Sequence, residues 1–189
     1  MKKIFLLIFI FLHFHSVSLA ENLKFKKIAS LDKPWGSSFI SNDEIIITEK
    51  SGKIKIVNII TGNLAEIEHN LNFLEYGQGG LLDILHKDDF IYISYTENRE
   101  NWKTSTSIAK AKMDKKKLFF ENIFQANPPI DSGYHFGSRL AIKDNYLFAS
   151  AGERGKGMIA QDASKHPGSI VRIHLDGSIP KDNPRFEGN

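Results

Sequence analysis

The stretch Glu44-Ile45-Ile46-Ile47-Thr48-Glu49-Lys50-Ser51-Gly52-Lys53-Ile54-Lys55-Ile56-Val57 reads as a β-hairpin. A β-branched run enters a Ser-Gly turn, and the return strand alternates apolar and polar with period two, as a half-buried strand does. Thr61-Gly62-Asn63 turns the chain again. The same layout recurs downstream. Phe90-Ile91-Tyr92-Ile93-Ser94-Tyr95 is a strand, a polar loop runs from Glu97 to Lys103, and Thr106-Ser107-Ile108-Ala109-Lys110-Ala111 returns, with a further apolar stretch from Lys117 to Phe120. A third unit has Tyr146-Leu147-Phe148-Ala149-Ser150-Ala151, a long loop to about Pro167, and Ser169-Ile170-Val171-Arg172-Ile173-His174-Leu175 closed by Asp176-Gly177.

These units recur about every 45–55 residues, the blade length of propellers. One antiparallel sheet of up to four short strands cannot bury both faces alone, so it needs a neighbour on each side. Radial packing supplies both neighbours and leaves only short protected edges. A β-sandwich is the alternative, disfavoured by the long polar insertions. No amphipathic helix of any length is expected. The chain reads as all-β, with about three blades of an incomplete ring. Nothing from Pro184 to Asn189 resembles a closing strand.

Residues 1–20 read as a secretory signal peptide rather than as part of the fold. Lys2 and Lys3 form a positive start, Ile4 to Leu12 is apolar, and Ser18-Leu19-Ala20 offers a small-residue cleavage site. The apolar run is shorter than the roughly 20 residues a spanning helix needs. An uncleaved N-terminal anchor is the alternative. Residues 21–189 are then the mature domain, with no membrane span after cleavage.

The formal net charge is only +3, and two positive residues leave with the leader. A basic face of the kind nucleic acid requires is missing. Lys115-Lys116-Lys117 reads as a solvated hairpin turn. With no cysteine, disulfides and thiolate metal sites are excluded. A leader without cysteines suits a bacterial periplasm.

Three clusters carry possible chemistry. Tyr76-Gly77-Gln78-Gly79-Gly80-Leu81-Leu82-Asp83 lets backbone approach something closely. It lacks the Lys-Ser or Lys-Thr of a phosphate loop, and a plain glycine turn is its alternative. Ser132-Gly133-Tyr134-His135-Phe136-Gly137-Ser138-Arg139-Leu140 puts a glycine-flanked His on a loop. Neutral imidazole there can take a proton, and Arg139 can bind an anion or brace a carboxylate. A structural His and Arg satisfying loop carbonyls would read the same.

Gly152-Glu153-Arg154-Gly155-Lys156-Gly157, followed by Ala160-Gln161-Asp162, completes the set. Glu153 could orient His135 and stabilise its protonated form. Arg154 and Lys156 read as a solvent-exposed charged loop. No His-x-His or His-Glu-x-x-His metal motif occurs in the mature chain, and His69, His86, His166 and His174 have no evident sequence partner.

The order and wording of these clusters resemble the glucose/sorbosone dehydrogenase family, which includes soluble aldose sugar dehydrogenases. The matching stretches include Leu31-Asp32-Lys33-Pro34-Trp35-Gly36, Thr48-Glu49-Lys50-Ser51-Gly52, Gly77-Gln78-Gly79-Gly80-Leu81-Leu82-Asp83 and Tyr92-Ile93-Ser94-Tyr95. They continue through His135-Phe136-Gly137-Ser138-Arg139-Leu140, Ala160-Gln161-Asp162, Gly168-Ser169-Ile170-Val171-Arg172 and Asp176-Gly177-Ser178-Ile179-Pro180-Lys181-Asp182-Asn183-Pro184. Each stretch is weak alone, but together, in order, they cover nearly all of the mature chain.

The resemblance implies a six-bladed β-propeller holding pyrroloquinoline quinone (PQQ) near its axis, with Ca2+ against the quinone. It implies oxidation of the C1 hydroxyl of aldose sugars to lactones, with electrons passed to an acceptor it does not name. The family's catalytic base lands on His135, and its cofactor-contacting Gln lands on Gln78. The acidic partner of the base, commonly Asp, is here Glu153. Arg139 is carried with them as a candidate catalytic residue, and no metal ligand is assigned. The family's Arg-Asn-Pro-Gln-Gly stretch is not found in this sequence. The chain by itself is therefore expected neither to bind cofactor tightly nor to turn over. The rival expectation is a cofactor-free propeller that binds a protein or carbohydrate.

Overall fold

The computed structural model describes residues 24–185, and the leader read over residues 1–20 lies outside the described residues. The first sheet comprises β1 (Pro34–Phe39), β2 (Glu44–Glu49), β3 (Lys53–Asn58) and β4 (Leu64–His69). The second comprises β5 (Leu81–Lys87), β6 (Phe90–Asn98), β7 (Thr104–Lys112) and β9 (Glu121–Gln125). The third comprises β10 (Gly137–Lys143), β11 (Tyr146–Ala151) and β12 (Ser169–His174). Each sheet is an antiparallel meander. The short strand β8 (Lys117–Leu118) adds to the first sheet. The helical residues among those described are two 3-10 turns, Glu100–Trp102 and Gly157–Gln161.

The sheets stack face to face in chain order. Ile46, Ile54, Ile56 and Ile67 of the first meet Leu81, Ile84, Ile91 and Ile93 of the second in one core. Tyr92 and Ile108 of the second meet Leu140, Leu147, Ala149 and Ile173 of the third in another. Fully burying one such side chain is worth about 1.5–3 kcal/mol, so these two seams hold the sheets together. The middle sheet is covered on both faces. That is why β6 is buried without interruption from Ile91 to Glu97, whereas β11, covered on one face, alternates.

A repeated device registers each sheet on the next. The first strand of every sheet carries a bulge, at Pro34/Ser37, Leu81/Ile84 and Gly137/Leu140. At the bulge, a backbone N–H donates to a hydroxyl on the second strand. Gly36 donates to Thr48 (3.0 Å), Asp83 to Ser94 (2.9 Å) and Arg139 to Ser150 (3.1 Å). The hydroxyl then donates onward to the bulge of the following sheet: Thr48 to the Leu82 carbonyl, and Ser94 to the Ser138 carbonyl at 2.6 Å. The same three-residue repeat also places Lys50, Thr96 and Gly152 in equivalent backbone bonds to Lys33, Gly80 and Phe136, at 2.9–3.0 Å.

Two expectations are corrected. Lys117–Phe120 does not belong to the second unit. Lys117 and Leu118 pair in parallel with Glu68 and His69 of β4, and Leu118 and Phe120 bury in the first core. The loop expected from Glu97 to Lys103 is shorter, because β6 runs on to Asn98 and pairs Glu97 with Ser105. Glu97 can lie in a strand, only 8% exposed, because Ser107, Asn122 and Gln125 donate to its carboxylate. The lysine run is exposed as expected, with Lys115 on Glu44 and Lys117 on Glu68.

Candidate active site

Three loops converge at one end of the sheets: Gly77–Gly80 before β5, Ser132–Phe136 before β10 and Gly152–Gly155 after β11. Their approach is closer than side chains allow. A Cβ on Gly77 would lie 2.3 Å from the Gly133 carbonyl oxygen, and one on Gly152 would lie 1.8 Å from that of His135. The two glycines are therefore required by packing.

Gln78 ties the first loop to the second twice. Its backbone N–H donates to Gly133 O (2.7 Å), and its side-chain Oε1 accepts the His135 N–H (2.8 Å). Its amide NH2 group has no partner among the described residues. Lys50 Nζ donates to Gly77 O at 2.5 Å, and Lys50 O accepts the Leu81 N–H. A cleft of 410 Å³ results, lined by Trp35, Lys50, Gly77, Gln78, His135, Phe136 and Gly137.

His135 sits at φ +48°, in the left-handed region that non-glycine residues seldom adopt. Its ring Nδ1 bonds the Glu153 carboxylate. Gly155 N–H donates to the same oxygen (3.1 Å). Above all the His135 bond holds the Glu153 carboxyl below its usual range. An ionised carboxylate only accepts, so Nδ1 carries the hydrogen, and whenever the ring is neutral Nε2 is its acceptor nitrogen. The side chain is about half exposed, and no described residue occupies Nε2. Such an arrangement can take up a proton at Nε2 while the carboxylate orients the ring.

Arg139 is not brought to this pair. Its Nη1 braces Oδ1 of buried Asp83 (2.9 Å) and its guanidinium lies 4.6 Å over the Trp35 ring. The carboxylate-bracing role is the one observed. Asp83 also accepts the N–H groups of Leu140 (2.8 Å) and Ile84 (3.0 Å), which joins the second sheet to the third.

Arg154 departs from the exposed-loop expectation. It is 2% exposed. Lys156 remains at the surface. The burial is tolerated because carbonyl oxygens and an aromatic face surround the guanidinium, which holds its charge although burial pulls its pKa down to about 10. Trp35 and Lys50, both in matched stretches, were given no role by sequence reasoning. Aligning the repeat on Thr48, Ser94 and Ser150 would have found Lys50, which stands where Gly152 stands two sheets later.

The remaining clusters stay local. Asp162 closes its own turn on Ser164 and Lys165. His69 bonds Gly52 O, and His166 accepts the Asn127 N–H. Among the described residues, no three His, Asp or Glu side chains gather to hold a metal ion.

Known proteins show the same build. The aldose sugar dehydrogenase YliI of Escherichia coli (strain K12) is 33% identical over 164 residues, which is 82% of this chain and 44% of that protein. The crystal structure of the soluble aldose sugar dehydrogenase from Escherichia coli in the apo-form matches with a TM-score of 0.78 at 30% identity, covering 84% of this chain and 48% of that one. The PQQ-bound aldose sugar dehydrogenase from Streptomyces coelicolor matches with a TM-score of 0.75 at 25% identity, covering 86% and 51%. The chain thus spans about half the length of these relatives, and its three sheets are propeller blades. A family model described as glucose/sorbosone dehydrogenase matches residues 31–189, and the chain belongs to that family.

Proposed function

We propose that this chain carries the catalytic base, and one wall of the cofactor cradle, of a PQQ-dependent dehydrogenase that oxidises the C1 hydroxyl of aldose sugars to lactones. The observation that carries the reading is the bond between His135 Nδ1 and Glu153 in a half-exposed ring whose Nε2 has no partner among the described residues. The cleft that His135 helps to line also includes Gln78, whose amide NH2 has no partner among the described residues.

The donor set suits a flat, polyanionic quinone. Trp35 offers an aromatic face, Lys50 an ammonium group and Gln78 an amide N–H pair. Bound there, the quinone would supply the two-electron sink. The chain's own work is proton handling. His135 Nε2 accepts the proton of the sugar C1 hydroxyl, which raises electron density at C1 as its hydrogen leaves with the electron pair. Glu153 stabilises the imidazolium that forms. Gln78 fixes the backbone from which the ring projects. Ca2+, implied by resemblance, finds no ligand cluster among the described residues. No described helix is long and apolar enough to cross a membrane. With the leader read over residues 1–20, we place the protein in the periplasm.

The test is dye reduction on aldoses by the gene-length protein reconstituted with PQQ and Ca2+. His135→Gln is expected to lower kcat roughly 10²–10⁴-fold, the contribution of a positioned acid–base group. Full activity in that variant would remove the base assignment. Carbohydrate binding without PQQ binding would favour a cofactor-free module instead.

A further inference from the structure

Arg154 is the feature that this reading leaves unused. A guanidinium is costly to bury unless its donors are met, and here they are met by the loop that carries His135. Nε donates to Tyr134 O (3.0 Å) and Nη2 to Ser132 O. Nη1 donates to Thr104 O (3.1 Å) and Nη2 to Thr104 Oγ1 (2.7 Å), both on β7. The guanidinium also lies 3.6 Å from the centre of the Phe136 ring. It therefore grips the chain immediately before and immediately after His135 and fastens it to a strand of the neighbouring blade. The Arg154 N–H adds a bond to His135 O (3.3 Å). The preceding residue, Glu153, is the one that holds the imidazole.

We infer that Arg154 is a positioning residue: its buried fork keeps the Ser132–Phe136 loop in the conformation that presents the His135 ring to Glu153 through Nδ1. The need for such a clamp is visible in the backbone. His135 and Arg154 both have positive φ, +48° and +59°. Such conformations persist only where surrounding structure over-determines them. A planar fork can bind several carbonyls at once, which a lysine ammonium cannot reproduce. The role in catalysis rests on His135 being the base; the role in orienting the ring does not.

The first readout is the His135 ring tautomer, followed by 15N–1H multiple-bond NMR on the chain with its ring neutral. The parent chain is expected to show Nδ1 protonated and Nε2 bare. Arg154→Met keeps the apolar stem but removes the fork. It is expected to lose the Nδ1–H signature and to return the Glu153 carboxyl titration toward its ordinary range. Arg154→Lys should restore the signature in part. Should Arg154→Met fail to fold, Arg154→Lys and Thr104→Val, which deletes one acceptor, are read the same way. A folded variant that keeps the parent tautomer overturns the inference.

The second readout is kcat and KM of the reconstituted gene-length protein. A fall in kcat of about 10-fold or more, within the range a positioned base supplies, with KM little changed, is expected. A lost tautomer with kcat intact would uphold the positioning and sink His135 as base, so the two ideas fail separately.

Discussion

Replacing Ser94 with Ala tests the hydroxyl device that registers one blade on the next. Ser94 is fully buried. Its Oγ accepts the Asp83 N–H at 2.9 Å and donates to the Ser138 carbonyl at 2.6 Å. Alanine removes both bonds and creates little void. An unsatisfied buried donor costs about 1–3 kcal/mol, and a typical bond contributes about 1 kcal/mol net. The loss from Ser94→Ala should therefore be about 2–4 kcal/mol, a large share of the roughly 5–15 kcal/mol of a normal domain. Ser150 is the control, since it holds the same place in the third blade. Its hydroxyl accepts the Arg139 N–H at an exposed site, and no described carbonyl takes its hydrogen. Ser150→Ala should cost less than about 1 kcal/mol. Urea unfolding of the parent and both variants, with slopes compared as well as midpoints, makes the measurement. Equal losses for the two substitutions, within about 0.5 kcal/mol, would refute the idea that the hydroxyl bridges blades rather than only closing its own bulge.

Two more outcomes follow from the site. Because the His135 bond depresses the Glu153 carboxyl, its stabilisation is present above the ordinary Glu pKa of about 4.3 and fades as pH falls through the depressed folded value. In a pH series of urea midpoints, Glu153→Gln should lie below the parent at neutral pH and converge with it in acid; parallel curves would contradict this. Asp83→Asn leaves one carbonyl oxygen to serve the Leu140, Ile84 and Arg139 donors. A loss of about 1–3 kcal/mol is expected, and none would mean that Asp83 does not join the second and third blades.

Much of the fold was legible because burial on a known face leaves a periodic trace. The alternation at Lys53–Val57 and the β-branched run before it became β2 and β3. The apolar run from Phe90 became the doubly covered β6. The outer strands left no such trace. In β4, Ile67 is the only buried residue, and β9 has none. Leu118 was visibly apolar, but nothing local could say that it would pair with the sheet of the preceding blade.

At the site, the sequence by itself determined the chemistry on offer: a glycine-flanked His135, a carboxylate at Glu153 and an amide at Gln78. The pairing of Glu153 with His135 was expected from the sequence, and the structure brings the two together. Only the tertiary structure decided the other partners: it gave Gln78 to the His135 backbone and Arg139 to Asp83, and it drew Arg154 out of a loop that reads as solvent-exposed into the protein beside His135. The reason is physical. Periodicity records which side of a strand is buried, but the partners of a loop side chain are set by carbonyls and rings that reach it from other blades. In the case of Arg154, these come from Thr104, fifty residues away.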